Sequence, residues 1–213
     1  MNLSQNKNET PTGRFCDSPS IEEMAQSILS GQLVIFPCDT IWGIIGLAQP
    51  ETAIQLATLK ERPLNQGFVV LIPHQGHLNH WVSPITDLQK SLMAKFWPGP
   101  LTMVFQSAAA VCSNIKGDHS GIAIRHPRFP ILNQLLDLLD TPLISSSLNL
   151  HQQATIQDIQ DIPAAIKHQV SMIYPYATPL HQKASTIIDC QGTTIKIIRE
   201  GSISREDLAP YLS

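Results

Sequence analysis

The sequence predicts an α/β (α+β) fold in which helices flank one mixed β-sheet. Short apolar runs alternate along the chain with amphipathic stretches of helical period, a pattern typical of such folds. No internal repeat or Gly/Ser-rich linker divides the sequence, and 213 residues suit one hydrophobic core rather than two. We therefore expect a flexible, asparagine-rich segment at 1–18 and a single domain at 19–213.

The first part of the chain predicts a helix, a strand pair and a second helix. Ser20 and Glu23 have the spacing of a capping box, and Gly31 ends the apolar helical face that follows. Pro63 prevents the second helix from continuing. The elements predicted here are a helix that opens at Ser20, strands at 32–36 and 43–48 around a turn at 37–40, and a helix at 51–59.

The rest of the chain continues the alternation, with proline and glycine as the breaks between elements. The elements predicted here are strands at 68–72, 101–105, 121–125 and 142–146, helices at 84–96 and 129–139, a mostly helical stretch at 155–167 broken at Pro163, strands at 185–189 and 194–199, and a short helix near Arg205. Consecutive strands separated by helices favour a sheet covered by helices.

Composition and charge argue against several classes of protein. The net charge of −3, from 14 Lys+Arg and 17 Asp+Glu, disfavours nucleic-acid binding through bulk charge. The apolar runs are far shorter than the roughly 20 residues that span a bilayer. The sequence shows no secretory signal, C-x-x-C pair, glycine-rich nucleotide motif or G-x-S-x-G elbow. We expect a cytoplasmic protein with no membrane segment that is neither a P-loop ATPase nor a serine hydrolase.

One histidine pattern has a spacing that could gather imidazoles around a metal ion. His74, His77 and His80 are three residues apart, which would place them on one face of a helix. Pro73 and Gly76 interrupt a helix there, however, and no acidic or thiol residue stands nearby in the sequence. We therefore expect a polar surface turn and assign no metal site.

Several cations and hydroxyls lie at the ends of predicted elements. Lys60 and Arg62 follow a helix, where the macrodipole favours cations in any protein. Arg125 and Arg199 end apolar strands, where a guanidinium can be an ordinary ion-pair partner or can bind a carboxylate or phosphate bidentately. The polar run at 145–149 follows another strand and could form a turn or bind a nucleotide. Taken singly, each residue leaves both interpretations open.

Five short motifs, however, occur together and in one order. They are Pro37-Cys38-Asp39-Thr40-Ile41-Trp42-Gly43, Lys60-Glu61-Arg62-Pro63, Trp97-Pro98-Gly99-Pro100-Leu101-Thr102, Ala123-Ile124-Arg125 and Ser147-Leu148-Asn149. The series resembles the motifs of the YrdC/Sua5 family from about Ser20 to Gly201, and in length the chain is most similar to the family's short bacterial (TsaC-type) form. The resemblance implies a single YrdC-like domain, with a twisted mixed sheet flanked by helices and a concave central cleft.

The same resemblance implies a nucleotidyltransferase. Such a protein would be an L-threonylcarbamoyladenylate synthase, which forms threonylcarbamoyl-AMP and pyrophosphate from L-threonine, bicarbonate and ATP. The product serves the t6A37 modification of tRNA, so the expected partners are the threonylcarbamoyl transferase complex and RNA. ATP would be a substrate accompanied by Mg2+, for which the sequence indicates no protein ligand.

The resemblance implies nine candidate site residues in this chain, some within the five motifs and some at other family positions. Lys60 and Arg62 are the expected catalytic residues, because cations must bind the ATP phosphates and stabilise the charge that develops as pyrophosphate leaves. The resemblance assigns Lys60, Arg62, Ser147, Asn149 and Arg199 to ATP, and Thr40, Arg125, Ser145 and Ser185 to L-threonine. It assigns no residue to a metal.

Two motifs depart from the family pattern. Cys38 stands where the family carries a hydroxyl, and Leu148 replaces a small residue, so we expect Leu148 to crowd the nucleotide pocket. These departures keep a second hypothesis open, a non-catalytic or diverged YrdC-like protein that binds double-stranded RNA through a basic cleft. The overall acidity of the chain disfavours that hypothesis.

Overall fold

The structure is a computed structural model that describes residues 19–117, 120–149, 156, 158–176 and 183–212. The segment expected to be flexible, 1–18, lies outside the described residues. No helix among those described is both long and apolar enough to cross a membrane. The helices are α1 (Ile21–Leu29), α2 (Pro50–Leu59), α3 (Asp87–Phe96), α4 (Ser113–Lys116), α5 (Pro130–Leu139), α6 (Ala164–Lys167) and α7 (Arg205–Leu208).

Within the described residues, one mixed sheet of nine strands crosses the molecule. The strands are β1 (Val34–Cys38), β2 (Ile41–Leu47), β3 (Val69–Leu71), β4 (Leu101–Gln106), β5 (Gly121–Arg125), β6 (Leu143–Ser147), β7 (Met172–Ile173), β8 (Thr186–Asp189) and β9 (Lys196–Arg199). Their order across the sheet is β7-β1-β2-β6-β3-β5-β4-β8-β9. The pairs β1/β7, β3/β5 and β4/β8 are parallel and the other pairs are antiparallel, so the predicted mixed sheet is confirmed.

The local signals in the sequence set several element boundaries. Ser20 and Glu23 form both hydrogen bonds of the capping box that opens α1, and Gly31 follows the helix with a φ of 83°. A second capping box, between Thr86 and Gln89, opens α3. The helix predicted at 84–96 therefore begins at Asp87, because Thr86 caps it from an extended conformation.

Two predictions of local structure need correction. The strand β1 continues through Pro37 to Cys38, so the turn expected at 37–40 is only the two residues Asp39 and Thr40. In the stretch predicted at 155–167, the described residues form a 3-10 turn at Ile159–Asp161 and the four-residue α6. Proline at position 163 separates the two because it lacks the N–H that a continuous helix requires.

Helices pack on both faces of the sheet, although they leave part of one face uncovered. On β1, Val34, Phe36 and Cys38 point to one face, where they pack with α1 and α5. Leu33 and Ile35 point to the other face, where they join the larger cluster that includes residues of α2 and α3. The cover by α1 and α5 lies over β1, β2 and β6, and the remaining part of that face, over β3, β5, β4 and β8, borders a cleft.

Candidate active-site cleft

The cleft has a volume of about 740 Å3 and its floor is the sheet itself. Ser145, Val69, Ala123, Val104 and Asp189 are successive cross-strand partners, so all five project from the same face and form one row of the floor. All five line the cavity. Most of them are small, which leaves room for a ligand above the sheet.

The charges around the cavity are mainly positive. Among the described residues, those that line it include the cations Arg62, Lys116, Arg125 and Arg199, and one carboxylate, Asp189. The net charge of the whole chain is −3, so the excess of positive charge is local to the cavity. Convergent cations in a partly desolvated cavity favour anionic ligands, because the field there is screened less than at a flat surface.

A buried ion pair positions Arg125. Its Nη2 donates to Asp39 Oδ1 at 2.6 Å and to the Cys38 carbonyl oxygen at 3.0 Å, and its Nη1 donates to Thr40 Oγ1 at 3.3 Å. Arg125 is only 4% exposed and Asp39 only 6%. Asp39 has a φ of 57°, a left-handed conformation that aspartate tolerates and that closes the tight turn between β1 and β2.

The hydrogen bonds of Arg125 within the protein leave some of its N–H donors unused. A guanidinium group carries five N–H groups, and three acceptors are in place around this one. Its Nε is buried and has no hydrogen-bond partner among the described residues. Arg125 lines the cavity, so N–H donors that these three acceptors leave unused can serve a ligand there.

A second arginine lies at the cleft rim and contacts Ser185. Arg199 donates from Nε and Nη2 to the Ser185 carbonyl oxygen, at 3.2 and 2.8 Å, and from Nη2 to Ser185 Oγ at 3.3 Å. The hydroxyls of Ser185 and Thr102 are 2.8 Å apart, which fixes Ser185 from the sheet side. Partial burial, together with the nearby charge of Arg125, lowers the pKa of Arg199.

Lys60 lies behind the cavity wall and holds the segment that follows β6. It is 3% exposed, and its Nζ donates to the carbonyl oxygens of Ser147, at 2.6 Å, and Asn149, and to Asn149 Oδ1 at 2.7 Å. Ser147 Oγ donates to the same Oδ1 at 2.6 Å. Lys60, Ser147 and Asn149 therefore form one hydrogen-bonded group, although Lys60 and Asn149 do not line the cavity themselves.

Burial makes the charge of Lys60 costly. Desolvation, with a smaller contribution from the positive charge of Arg62, lowers the Lys60 pKa from 10.5 to about 8. Between these two values the unfolded chain binds the proton more tightly than the folded protein does. The contribution of Lys60 to the free energy of unfolding therefore rises as the pH increases from about 8 to 10.5.

We expect wild-type protein to gain stability relative to Lys60→Met when the pH is raised from 7.5 to 10. Urea unfolding of both proteins at the two pH values measures this difference. Cys38 and Cys190, whose burial raises their thiol pKa values to about 12, titrate alike in both proteins and cancel in the comparison. The exposed Lys196→Met is the matched control and should follow wild type. If the free energies of unfolding of wild type and Lys60→Met changed with pH in parallel, the lowered pKa of Lys60 would be contradicted.

Arg62 reaches the cavity from the end of α2. Glu61 has a φ of 50°, which turns the chain after the helix and separates Lys60 from Arg62. The Arg62 guanidinium stacks 4.1 Å from the centroid of the Phe68 ring and donates from Nη2 to the Gly67 carbonyl oxygen. Its Nε is buried without a hydrogen-bond partner in the part of the chain that the structure describes, and burial lowers the pKa of the Arg62 guanidinium. A fixed, incompletely bonded guanidinium is suited to binding an anion.

Cys38 occupies the floor beneath the hairpin turn. Its Sγ leaves no room for a side chain at position 43, where a Cβ atom would lie 2.7 Å from the sulfur, so Gly43 is required there. Burial raises the pKa of the thiol to about 12, so Cys38 is neutral at physiological pH. The residue can pack against a ligand, but it is not an activated nucleophile.

The structure brings most of the nine candidate residues to one cavity. Those that line it are Thr40, Arg62, Arg125, Ser145, Ser147, Ser185 and Arg199. Lys60 and Asn149 stand immediately behind Ser147. Sequence reasoning missed the roles of Asp39, Lys116 and Asp189. Of these, only Asp39 had a local sequence signal, because an Asp-Thr pair between two strands is typical of a tight turn.

Leu148 does not crowd the cavity as expected. Its side chain is fully buried in the larger hydrophobic cluster and is not among the residues that line the cleft. Its backbone N–H donates to the Trp42 carbonyl oxygen at 2.9 Å, which continues the pairing of β6 with β2. Alternation along the extended backbone turns Leu148 to the opposite face from Ser147. Residues 150–155, which follow this motif, lie outside the described residues.

Comparison with known proteins supports a common family. A family model described as "Telomere recombination" (Sua5_yciO_yrdC) matches residues 26–201. The threonylcarbamoyl-AMP synthase of Chromohalobacter salexigens is 26% identical over 178 residues, which cover 83% of this chain and 96% of the relative. That of Marinobacter nauticus is 27% identical over 177 residues, which cover 81% and 93%.

Solved structures show the same fold. P. abyssi Sua5 complexed with L-threonine superposes with a TM-score of 0.84 at 23% identity, over 90% of this chain and 56% of that one. E. coli YciO gives a TM-score of 0.79 at 23% identity, over 90% and 92% of the two chains. The expected YrdC-like domain is confirmed by these likenesses and by the match to the family model. The chain therefore belongs to the Sua5/YciO/YrdC family.

Proposed function

We propose that this protein is an L-threonylcarbamoyladenylate synthase, a nucleotidyltransferase that forms threonylcarbamoyl-AMP and pyrophosphate from L-threonine, bicarbonate and ATP. The observation that carries the proposal is the cavity of about 740 Å3 into which four cations converge in an acidic chain. Relatives named threonylcarbamoyl-AMP synthase, which match over most of their own length, support it.

The reaction has to bring several anions together. Carboxylation of the threonine amine gives a carbamate, whose oxygen attacks the α-phosphorus of ATP while the bond to pyrophosphate breaks. Arg62, fixed over Phe68 and lining the cavity, binds phosphate oxygens and stabilises the charge on the leaving pyrophosphate. Lys60 adds its charge from behind the wall and holds Ser147 and Asn149 in place.

The threonine end of the site is the pocket around Arg125. Its remaining donors bind the carboxylate, while Asp39 and the Cys38 carbonyl oxygen hold the guanidinium in a fixed orientation. The hydroxyls of Thr40, Ser145 and Ser185 lie along the same wall and bind the amine and hydroxyl of threonine.

We assign the nucleotide to Ser147 and Arg199, which line the cavity, and to Asn149, which is hydrogen-bonded to Ser147. Lys116 and Asp189 also line the cavity. Mg2+ would arrive with ATP. Within the described ranges, no group of three metal-ligating side chains gathers in the cleft, and its single lining carboxylate, Asp189, already accepts hydrogen bonds from Gln191. The residues thus suit an ion coordinated mainly by phosphate oxygens and water, which would neutralise charge on the triphosphate.

The product would be consumed by the threonylcarbamoyl transferase complex that modifies tRNA in the cytoplasm. The same placement of the cations disfavours the double-stranded RNA hypothesis. They face into a cavity of small-molecule size, whereas an RNA duplex is bound by cations spread along an open surface.

The decisive experiment is mass-spectrometric detection of threonylcarbamoyl-AMP and pyrophosphate after incubation of purified protein with ATP, Mg2+, bicarbonate and L-threonine. We expect product with threonine and little with serine, which lacks the methyl group. Arg62→Ala should lower the rate at least about tenfold, because it removes a charge-assisted contact worth about 1.5 to 3 kcal/mol. The exposed Arg128→Ala is the matched control and should keep the wild-type rate.

Absence of product from folded protein that binds ATP would contradict the proposal. In that case binding of double-stranded RNA at several salt concentrations tests the second hypothesis, since such binding should weaken steeply as salt increases. A wild-type rate in Arg62→Ala would leave the activity intact but would remove Arg62 from the phosphate site.

A further inference from the structure

A second group of ligating side chains lies outside the cleft. It consists of His74, His77 and Asp140, whose candidate ligand atoms all lie within 4.8 Å of one another. Leu71 on β3 pairs with Leu143 on β6, and the two strands are antiparallel. Since His74 follows Leu71 by three residues and Asp140 precedes Leu143 by three, the sheet register brings them together. We call this group the His-Asp cluster.

The spacing of the cluster matches that of ligands around one small cation. His77 Nε2 lies 3.3 Å from Asp140 Oδ1, and His74 Nε2 lies 3.9 Å from the same oxygen. Two ligands at about 2.0 to 2.1 Å from a tetrahedral zinc ion are separated by about 3.3 Å. A small movement of exposed side chains would thus give coordination distances.

The backbone around Asp140 favours a cation as well. Asp140 caps the C-terminus of α5 in a left-handed conformation, with a φ of 44°. The negative end of the ten-residue helix dipole adds to the carboxylate charge, and the last turn of α5 contains no basic residue that would neutralise it. The local field therefore favours a bound positive charge.

We propose that the His-Asp cluster binds a divalent transition-metal ion, with Zn2+ as the representative. Two imidazoles and one carboxylate are typical ligands for such an ion, and Mg2+ and Ca2+ prefer all-oxygen sites. His74 and Asp140 are exposed, so the remaining coordination positions face solvent and take water or an outside ligand. None of the three residues lines the cleft, so this site is separate from the proposed ATP and threonine site.

Binding requires one change in protonation. His74 Nδ1 accepts a hydrogen bond from the Gly76 N–H at 3.1 Å, so a neutral His74 ring carries its proton on Nε2. For Nε2 to coordinate the ion, that proton must leave it and Nδ1 must become the protonated nitrogen. The Gly76 N–H then loses its acceptor, which makes its amide resonance a direct reporter of coordination.

The experiment is a titration of tag-free protein with Zn2+, followed by isothermal calorimetry and by the amide resonance of Gly76. We expect one equivalent to bind at this site and to shift the Gly76 resonance. His77→Ala and Asp140→Asn should each weaken binding at least about tenfold, since the first removes a ligand atom and the second removes the negative charge of the carboxylate ligand. His80→Ala is the matched control, because His80 is an exposed histidine of the same turn that is outside the cluster, and its affinity should equal that of wild type.

Asp140→Asn keeps the inference testable if His77→Ala does not fold, because asparagine tolerates the left-handed conformation and the position is exposed. The proposal is overturned if wild type shows no saturable Zn2+ binding. It is also overturned if Asp140→Asn binds as tightly as wild type, or if the Gly76 resonance does not move at saturation.

Discussion

Arg125→Ala is expected to lower the free energy of unfolding by about 3 to 5 kcal/mol and to abolish detectable threonine binding. The substitution leaves Asp39, which is 6% exposed, as a buried carboxylate without its cation. It also leaves the Cys38 carbonyl oxygen and the Thr40 hydroxyl without a shared donor. Removing one partner of a buried pair costs more than the pair contributes in total, because the remaining charge stays desolvated.

A double-mutant cycle separates the two effects. Urea unfolding should show that Arg125→Ala combined with Asp39→Asn is more stable than Arg125→Ala alone, since the second change removes the unpaired charge. Threonine binding, measured by calorimetry, should stay absent in both. Arg128→Ala, at an exposed position three residues later, is the control for loss of an arginine. If the effects of the two substitutions on stability were additive, the broken ion pair would not be the main cause of the stability lost in Arg125→Ala.

Leu148→Ala is expected to destabilise the protein by about 2 to 5 kcal/mol without improving ATP affinity. The family motif alone predicts the opposite, since it carries a small residue at this position. In the structure the Leu148 side chain is fully buried in the hydrophobic cluster that includes Trp42 and Ile144, so its removal leaves a cavity in the core. The cleft in which we propose that ATP binds lies on the other side of the β6 backbone.

Thermal or urea unfolding of Leu148→Ala measures the first effect and calorimetric titration with ATP measures the second. Leu138→Ala is the matched control, because that leucine is 52% exposed and its loss should change stability little. A clear gain in ATP affinity with unchanged stability would show that Leu148 restricts the nucleotide site after all.

Local sequence patterns predicted most of the fold because they report on short-range physics. The capping box at Ser20, the proline after α2 and the alternation of apolar residues each depend on neighbours within a turn or a strand. The errors lie where a tertiary contact extends or shortens an element. Strand β1 runs through Pro37 because pairing with β2 extends to Cys38, and the two-residue β7 exists only through its pairing with β1.

The candidate site was predictable as a set of residues but not as an arrangement. The family resemblance pointed to Arg125 and Arg199, yet it could not indicate that Asp39 holds the first or that both contribute to one cavity. It likewise could not show that Lys60 stands behind the wall, bonded to Ser147 and Asn149, instead of lining the cavity.

By itself, the sequence determined the family, the mixed sheet and most of the candidate site residues, because periodicity, caps and motif order are properties of neighbouring residues. Only the tertiary structure decided which distant groups meet. Asp39 and Arg125 are 86 positions apart, and Asp140 reaches His74 and His77 only through the pairing of β3 with β6. Strand register also decided that Leu148 faces the core, since a shift of one residue would turn it toward the cleft.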